Sequence, residues 1–140
     1  MKLKPISIGN LELKVPIIQG GMGIGVSLSS LAGAVAKEGG MGVISAAQPG
    51  FDREEWKTHP LETNLKALGE HIKKAKEISG NGVIGVNIMR ASCDYDKYVQ
   101  CCADNGADAI ISGAGLPVEL PKLLAGTDMK FAPIVSSLKA

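Results

Sequence analysis

The chain has 140 residues, enough for one domain with a buried core. Its 15 Lys and Arg residues nearly balance its 14 Asp and Glu residues, so the charge gives no support for nucleic-acid binding. Three cysteines without an apolar signal segment predict a cytoplasmic protein, and no apolar run approaches the roughly 18 residues that span a bilayer.

Residues 6–15 alternate apolar and polar side chains around Gly9-Asn10, which predicts a β-hairpin. Apolar runs and runs of helical spacing then alternate along the chain, and glycines follow most of the helical runs. The predicted strands cover residues 16–19, 42–46, 83–89, 108–112 and 130–136. Apolar residues at helical spacing predict helices that begin near residues 28, 61 and 95 and end at Gly39-Gly40, Gly80 and Asn105-Gly106. A short fourth helix, interrupted by Pro121, is predicted around residues 117–125. Ser27 is the predicted N-cap of the first helix.

The strands are apolar throughout, which is typical of a parallel sheet covered by helices. Both an open doubly wound sheet and part of a (β/α)8 barrel have this order of elements. Small or polar residues end every clear strand, and only a barrel gathers all strand ends around one ligand. The sequence therefore predicts an α/β fold, the N-terminal half of a TIM (β/α)8 barrel, with about four and a half βα units after a short hairpin.

A half barrel has two open sheet edges, which expose unpaired backbone groups. We therefore expect residues 1–140 to be the N-terminal part of one barrel domain whose remainder is absent. The alternative is self-association, or association with a partner chain, through the open edges. That alternative would make the chain a non-catalytic half barrel.

The segment 17–29, IIQGGMGIGVSLS, places four glycines directly after an apolar run. The dinucleotide motif G-x-G-x-x-G fails here because its third glycine position holds Val26 or Leu28, and there is no P-loop lysine. Two interpretations remain. Backbone amides of Gly21, Met22 and Gly23 could face a flat ring, or the glycines could only permit a tight turn.

Asn87 interrupts a buried strand with a side chain that needs hydrogen-bond partners. It either faces a ligand at the barrel mouth or bonds neighbouring backbone. The small residues 112–115 end the next strand, where they either admit a ligand or form a turn. His59 and His71 are predicted to be exposed, and no metal cluster or nucleophile–base pair stands out.

Four segments resemble the nitronate monooxygenase family, formerly 2-nitropropane dioxygenase, and its relative, the flavin-dependent enoyl-acyl-carrier-protein reductase II. They are PIIQGGMG (16–23), LAGAVAKEGGMGVIS (31–45), GVNIM (85–89) and SGAGLP (112–117). The resemblance implies an FMN-dependent TIM-barrel oxidoreductase. It also implies that the flavin contacts residues from three strand ends: Gln19, Gly20, Gly21, Met22, Asn87, Ser112, Gly113, Ala114 and Gly115.

In that family the catalytic histidine lies in an A-G-G-H-type loop, and later glycine-rich loops hold the phosphate. Neither occurs in these 140 residues, so the resemblance implies no catalytic residue in this chain. We expect the isolated chain to bind FMN weakly and to be inactive. The small-molecule substrate of the complete enzyme would be an alkyl nitronate oxidised with O2 or an enoyl thioester. The lack of a clear basic patch for a carrier protein favours the nitronate.

Overall fold

The computed structural model describes residues 3–139, in which helices cover one face of a parallel sheet. The strands are β1 (Ile6–Ile8), β2 (Leu11–Leu13), β3 (Gly42–Ser45), β4 (Ile84–Met89), β5 (Ala109–Gly113) and β6 (Lys130–Pro133). The helices are α1 (Ser29–Lys37), α2 (Pro60–Ser79), α3 (Tyr95–Asp104) and α4 (Leu120–Leu123), with a 3-10 helix at Glu54–Lys57. None of these helices is long and apolar enough to cross a membrane.

The hairpin β1–β2 is antiparallel, and β3, β4, β5 and β6 form a parallel sheet in chain order. Such sequential order, with a crossover between consecutive strands, is the arrangement of a (β/α)8 barrel. Ile18 adds one isolated parallel bridge to Met41, next to β3. The predicted hairpin and parallel sheet are therefore confirmed.

The larger hydrophobic core lies between the sheet and its helices. Alternate residues of the strands, such as Ile44, Val86 and Ile110, point toward the helices and are fully buried. From α2, Leu68 and Ile72 pack into the same core. The helix faces predicted from 3.6-residue spacing are thus the ones that cover the sheet.

A second, smaller cluster covers the other face at the N-terminal ends of the strands. Leu13 of the hairpin is fully buried there against Met41, Val43 and Ala109. The hairpin therefore closes this end of the sheet. Nearby, Asp108 accepts hydrogen bonds from Lys76 Nζ and, at 2.7 Å, from the Ile84 amide, so it ties α2 to the start of β4.

Three predictions about local structure are wrong. Residues 16–19 make a single bridge instead of a buried strand, and Ile17 and Ile18 remain about half exposed because no described residue pairs beyond them. Leu28, not Ser27, occupies the N-cap of α1, because the Ser27 hydroxyl is bonded to the preceding loop. The last strand ends at Pro133, three residues earlier than predicted.

Candidate functional site

Residues 20–26, here called the glycine loop, lie on the C-terminal ends of β3 and β4. A Cβ atom on Gly21 would be 2.5 Å from the Asn87 Cβ, and one on Gly23 would be 2.7 Å from the Ala47 Cβ. Contacts this short do not occur between real side chains, so both positions need glycine. Gly25 has φ +76°, in the left-handed region. Close packing and turn geometry thus account for three of the four glycines.

Gln19, a predicted flavin contact, uses its side chain to extend the sheet. Its Nε2 donates to the Val43 carbonyl at 3.1 Å, and its Oε1 accepts from the Val43 amide at 3.3 Å. The same Nε2 also donates to Ser27 Oγ at 3.1 Å. The side-chain amide of Gln19 therefore pairs with β3 as the backbone of a strand would. Its oxygen and nitrogen both have hydrogen-bond partners within the protein.

Ser27 binds the glycine loop from behind. Its hydroxyl accepts a hydrogen bond from the Met22 amide at 2.9 Å and donates to the Gly20 carbonyl at 3.2 Å. Of the three amides predicted to face a ring, that of Met22 is therefore committed to Ser27. By contrast, Gly23 N–H has no hydrogen-bond partner within residues 3–139.

Asn87 lies beside the loop as well as at the end of its strand. Its Nδ2 donates to the Gly21 carbonyl at 3.1 Å, and its side chain is partly buried. Of the two interpretations of Asn87, the structure thus shows the bond to backbone. The same side chain also lines the cavity described next.

A cavity of about 670 Å³ opens at the C-terminal ends of β3 and β4. This is within the usual size of ligand sites, about 300–1,000 Å³. Its lining is formed by small, apolar and neutral polar residues of the loops after the strands and contains no charged side chain among residues 3–139. The lining residues include Gly21, Gly23, Ser45, Ala47, Asn87 and Met89.

Ser112 does not point into this cavity. Its side chain is fully buried on the helix-covered face, where its Oγ accepts a hydrogen bond from the Tyr95 hydroxyl at 2.9 Å. Burial raises the pKa of Tyr95, which keeps the phenol protonated as the donor. A ligand could therefore contact this position only through the backbone.

The rest of the 112–115 segment forms a turn beside the site. Gly113 is buried next to Ile134, while Ala114 and Gly115 have positive φ angles. Arg90, in the loop after β4, binds Glu119 through two hydrogen bonds of 3.0 and 3.2 Å, which lowers the pKa of Glu119. The structure therefore brings Gly21 and Asn87 to the cavity but leaves residues 112–115 outside its lining.

Neither histidine lines the cavity. His59 is exposed, as predicted. His71 is only partly exposed, contrary to the prediction, because α2 packs against α1 and the His71 Nδ1 lies 3.0 Å from Ser29 Oγ. Burial lowers the pKa of His71. Helical spacing alone could not reveal this contact between two helices.

Cys93 is a lining residue that the sequence analysis missed. It lies in the loop after β4, is exposed, and borders the cavity with Ser92. No sequence pattern distinguishes it, since only the course of the loop brings it there. Within residues 3–139, no group of three His, Cys, Asp or Glu side chains could hold a metal ion.

Solved structures similar to this chain are parts of larger proteins. FabK from Thermotoga maritima is 27% identical with a TM-score of 0.67, and the match covers 87% of this chain and 34% of FabK. A single-residue variant of that FabK is also 27% identical, with a TM-score of 0.68, and the match covers 87% of this chain and 36% of the variant. The chain thus spans about a third of the length of these proteins.

Nitroalkane oxidase from Streptomyces ansochromogenes is 20% identical with a TM-score of 0.64. The match covers 84% of this chain and 39% of the oxidase. At this identity the likeness shows the fold alone. With the FabK matches, it confirms that the described sheet and helices are part of a TIM barrel. A search among curated proteins found no match.

The family comparison covers almost the whole chain. The model described as nitronate monooxygenase matches residues 4–140. This match includes the glycine loop, Asn87 and the 112–115 segment. This family and the similar solved structures are oxidoreductases, and the family and FabK are typically flavin-dependent. The chain therefore belongs to the nitronate monooxygenase family.

Proposed function

We propose that residues 1–140 are the N-terminal part of an FMN-binding TIM barrel that, when complete, oxidises alkyl nitronates with O2. The observation that carries this proposal is the uncharged cavity at the strand ends, bordered by the glycine loop and Asn87. Barrel enzymes place their active sites at this end of the sheet. The family match supports a flavin oxidoreductase there.

The cavity residues fit the ring of FMN. Gly23, Ala46 and Ala47 leave room near the strand ends, and a cavity of about 670 Å³ can admit a flat tricyclic ring. Ile24 and Met89, which line the cavity, are each about half exposed, which is costly apolar surface in water. A bound isoalloxazine ring would cover part of this surface.

The same residues do not fit the phosphate of FMN. No Lys or Arg lines the cavity, and the nearby Arg90 is engaged by Glu119. In barrels the phosphate site commonly lies after strands seven and eight, beyond the strands described for this chain. We therefore expect weak FMN binding by residues 1–140.

FMN, when bound, would supply the electron transfer between the nitronate and O2. This chain would orient the ring through the glycine loop and Asn87 and would exclude water with its apolar rim. Since no histidine lines the cavity, the acid–base group of the reaction would come from elsewhere in the complete barrel. The isolated chain should therefore be inactive.

Enoyl-thioester reduction is the second candidate. The 27% identity to FabK, which is enoyl-acyl-carrier-protein reductase II, favours it. The glycine loop and Asn87 would serve either reaction, because both need the same ring position. Assays of a complete barrel with an alkyl nitronate and with an enoyl thioester plus a nicotinamide donor would separate the two candidates.

The exposed sheet edges also support the proposed barrel. Ile18 on one side and Phe131 and Ile134 on the other are 40–60% exposed. Further strands of a barrel would pair with these edges and cover their side chains. Self-association of the isolated chain through the same edges is the alternative, and the mass of the purified chain by light scattering would reveal it.

The first test is flavin content and affinity. The purified chain would be denatured, the fluorescence of released FMN measured, and the refolded chain titrated with FMN. We expect little retained FMN but saturable quenching of FMN fluorescence during the titration. Gly21→Ala, whose added methyl group would meet Asn87, should bind FMN more weakly, and the exposed Ser30→Ala in α1 is the control that should bind it like the wild-type chain. Absence of saturable binding by the wild-type chain would contradict the proposal.

A further inference from the structure

We propose that Ser27 is the positioning residue that holds the glycine loop in the shape that accepts the flavin ring. The proposal rests on the proposed function for its flavin part, whereas the loop part stands on the structure alone. Ser27 is outside the predicted flavin contacts, and its side chain does not line the cavity. It would act through the loop, without touching the ring.

The hydroxyl of Ser27 is fully used. A serine hydroxyl can donate one hydrogen bond and accept two. Ser27 Oγ donates to the Gly20 carbonyl and accepts from the Met22 amide and from Gln19 Nε2, at 3.2, 2.9 and 3.1 Å. All three partners lie in residues 19–22. One hydroxyl therefore connects the end of the preceding segment to both sides of Gly21.

The backbone of Ser27 is fixed at the same time. Its amide donates to the Met22 carbonyl at 2.9 Å, which closes the loop, and its carbonyl accepts from the Ser45 amide at 2.9 Å. The residue is 1% exposed. Ser27 thus attaches the loop to β3, while Asn87 attaches it to β4 through Gly21.

The loop has few other means of holding its shape. Its side chains at Met22, Ile24 and Val26 are about half exposed or more, so apolar burial contributes little. Its glycines have more conformational freedom than any other residue, which the folded loop must give up. Removing Oγ would leave the Met22 amide without a partner and the Gly20 carbonyl with only Gln19 Nε2, at 3.5 Å, so the loop should open more often.

The test compares Ser27→Ala with Ser30→Ala in the 140-residue chain. Ser30 is exposed in the first turn of α1, so its variant makes the same chemical change away from the loop. The first readout is hydrogen exchange of the Met22 amide without flavin. We expect Ser27→Ala to accelerate it about five- to tenfold, the effect of one hydrogen bond, and Ser30→Ala to leave it unchanged.

The second readout is FMN affinity from fluorescence quenching, with the melting temperature measured in parallel. For Ser27→Ala we expect FMN to bind about tenfold more weakly at a temperature far below the melting transition. Wild-type affinity in Ser27→Ala with faster Met22 exchange would overturn the positioning role but leave the proposed function intact. Absence of FMN binding by the wild-type chain would instead reject the proposed function and the flavin part together.

The hydrogen exchange of the Met22 amide tests the loop part of the proposal without flavin. Unchanged Met22 exchange in Ser27→Ala would overturn the proposal whatever FMN does, because the loop would then hold its shape without the hydroxyl. A Ser27→Thr variant serves as the rescue, since it retains the hydroxyl. Slow Met22 exchange in Ser27→Thr, with fast exchange in Ser27→Ala, would assign the effect to the hydroxyl.

Discussion

The two ends of the parallel sheet differ in how they are filled. At the N-terminal ends of the strands, Leu13 of the hairpin is fully buried against Met41 and Val43. At the C-terminal ends, the lining is small, apolar or neutral polar, a cavity of about 670 Å³ remains, and Met22 and Met89 are about half exposed. The closed end therefore contributes stability, and the open end has room for a ligand, as in barrel enzymes generally.

The largest effect is expected at the closed end. Leu13→Ala should lower the free energy of unfolding by about 2–5 kcal/mol, since it removes a fully buried side chain and leaves a cavity. Urea denaturation would measure the change. Leu3→Ala is the control, because Leu3 is half exposed. Equal effects of the two variants would mean that the hairpin does not close this end.

At the open end, Gly21→Ala should be more disruptive than Gly20→Ala. The added methyl group would meet Asn87, so we expect a loss of about 1–3 kcal/mol and weaker FMN binding. In Gly20→Ala the nearest atom is Met22 Cε at 3.4 Å, and that side chain can move. Neither glycine has a positive φ, so the difference would report packing alone. Equal losses of stability in the two variants would contradict the packing explanation.

An effect of similar size on stability, but none on FMN binding, is expected on the helix-covered face of the open end. Ser112→Ala should cost about 1–3 kcal/mol of stability, because the buried Tyr95 hydroxyl loses its partner. FMN affinity should not change. Tyr95→Phe combined with Ser112→Ala should recover part of the loss, as no unpaired hydroxyl remains. Weaker FMN binding in Ser112→Ala without loss of stability would show that Ser112 reaches the ligand.

The smallest effect concerns pH and lies between α1 and α2. Burial, and then the charge of Arg53, lower the pKa of His71 below 6.5, so the folded chain favours the neutral ring. The unfolded chain therefore binds more protons near that pH, and stability should rise with pH. The contribution is complete above the unfolded pKa and is lost as the pH falls through the folded pKa. In His71→Gln, urea denaturation across this range should show a flatter pH dependence.

Several features could be predicted because their causes are local. Gly80 and Gly106 end α2 and α3 in left-handed conformations, which glycine adopts without strain. Helical spacing identified the buried faces of α2 and α3, and Cys102 of α3 is fully buried in the core. The continuous apolar strands indicated a parallel sheet, because apolar runs without alternation are typical of the strands in such sheets.

The site was less predictable because its contacts join distant segments. Asn87 and Gly21 are 66 positions apart, yet one bond connects them. Ser27 is the residue type of an N-cap, but its hydroxyl bonds the preceding loop. A local pattern cannot decide between such partners, because the choice depends on how β3 and β4 approach the loop.

The sequence by itself determined the order of elements, the ends of the main helices and the family, since these follow from local conformation and from motifs. Only the tertiary structure decided which face each strand residue takes. An apolar strand has no alternation to reveal its faces, so Ser112 could have pointed either way. The packing of α3 on the sheet directs it to Tyr95 and leaves the cavity to Gly21 and Asn87.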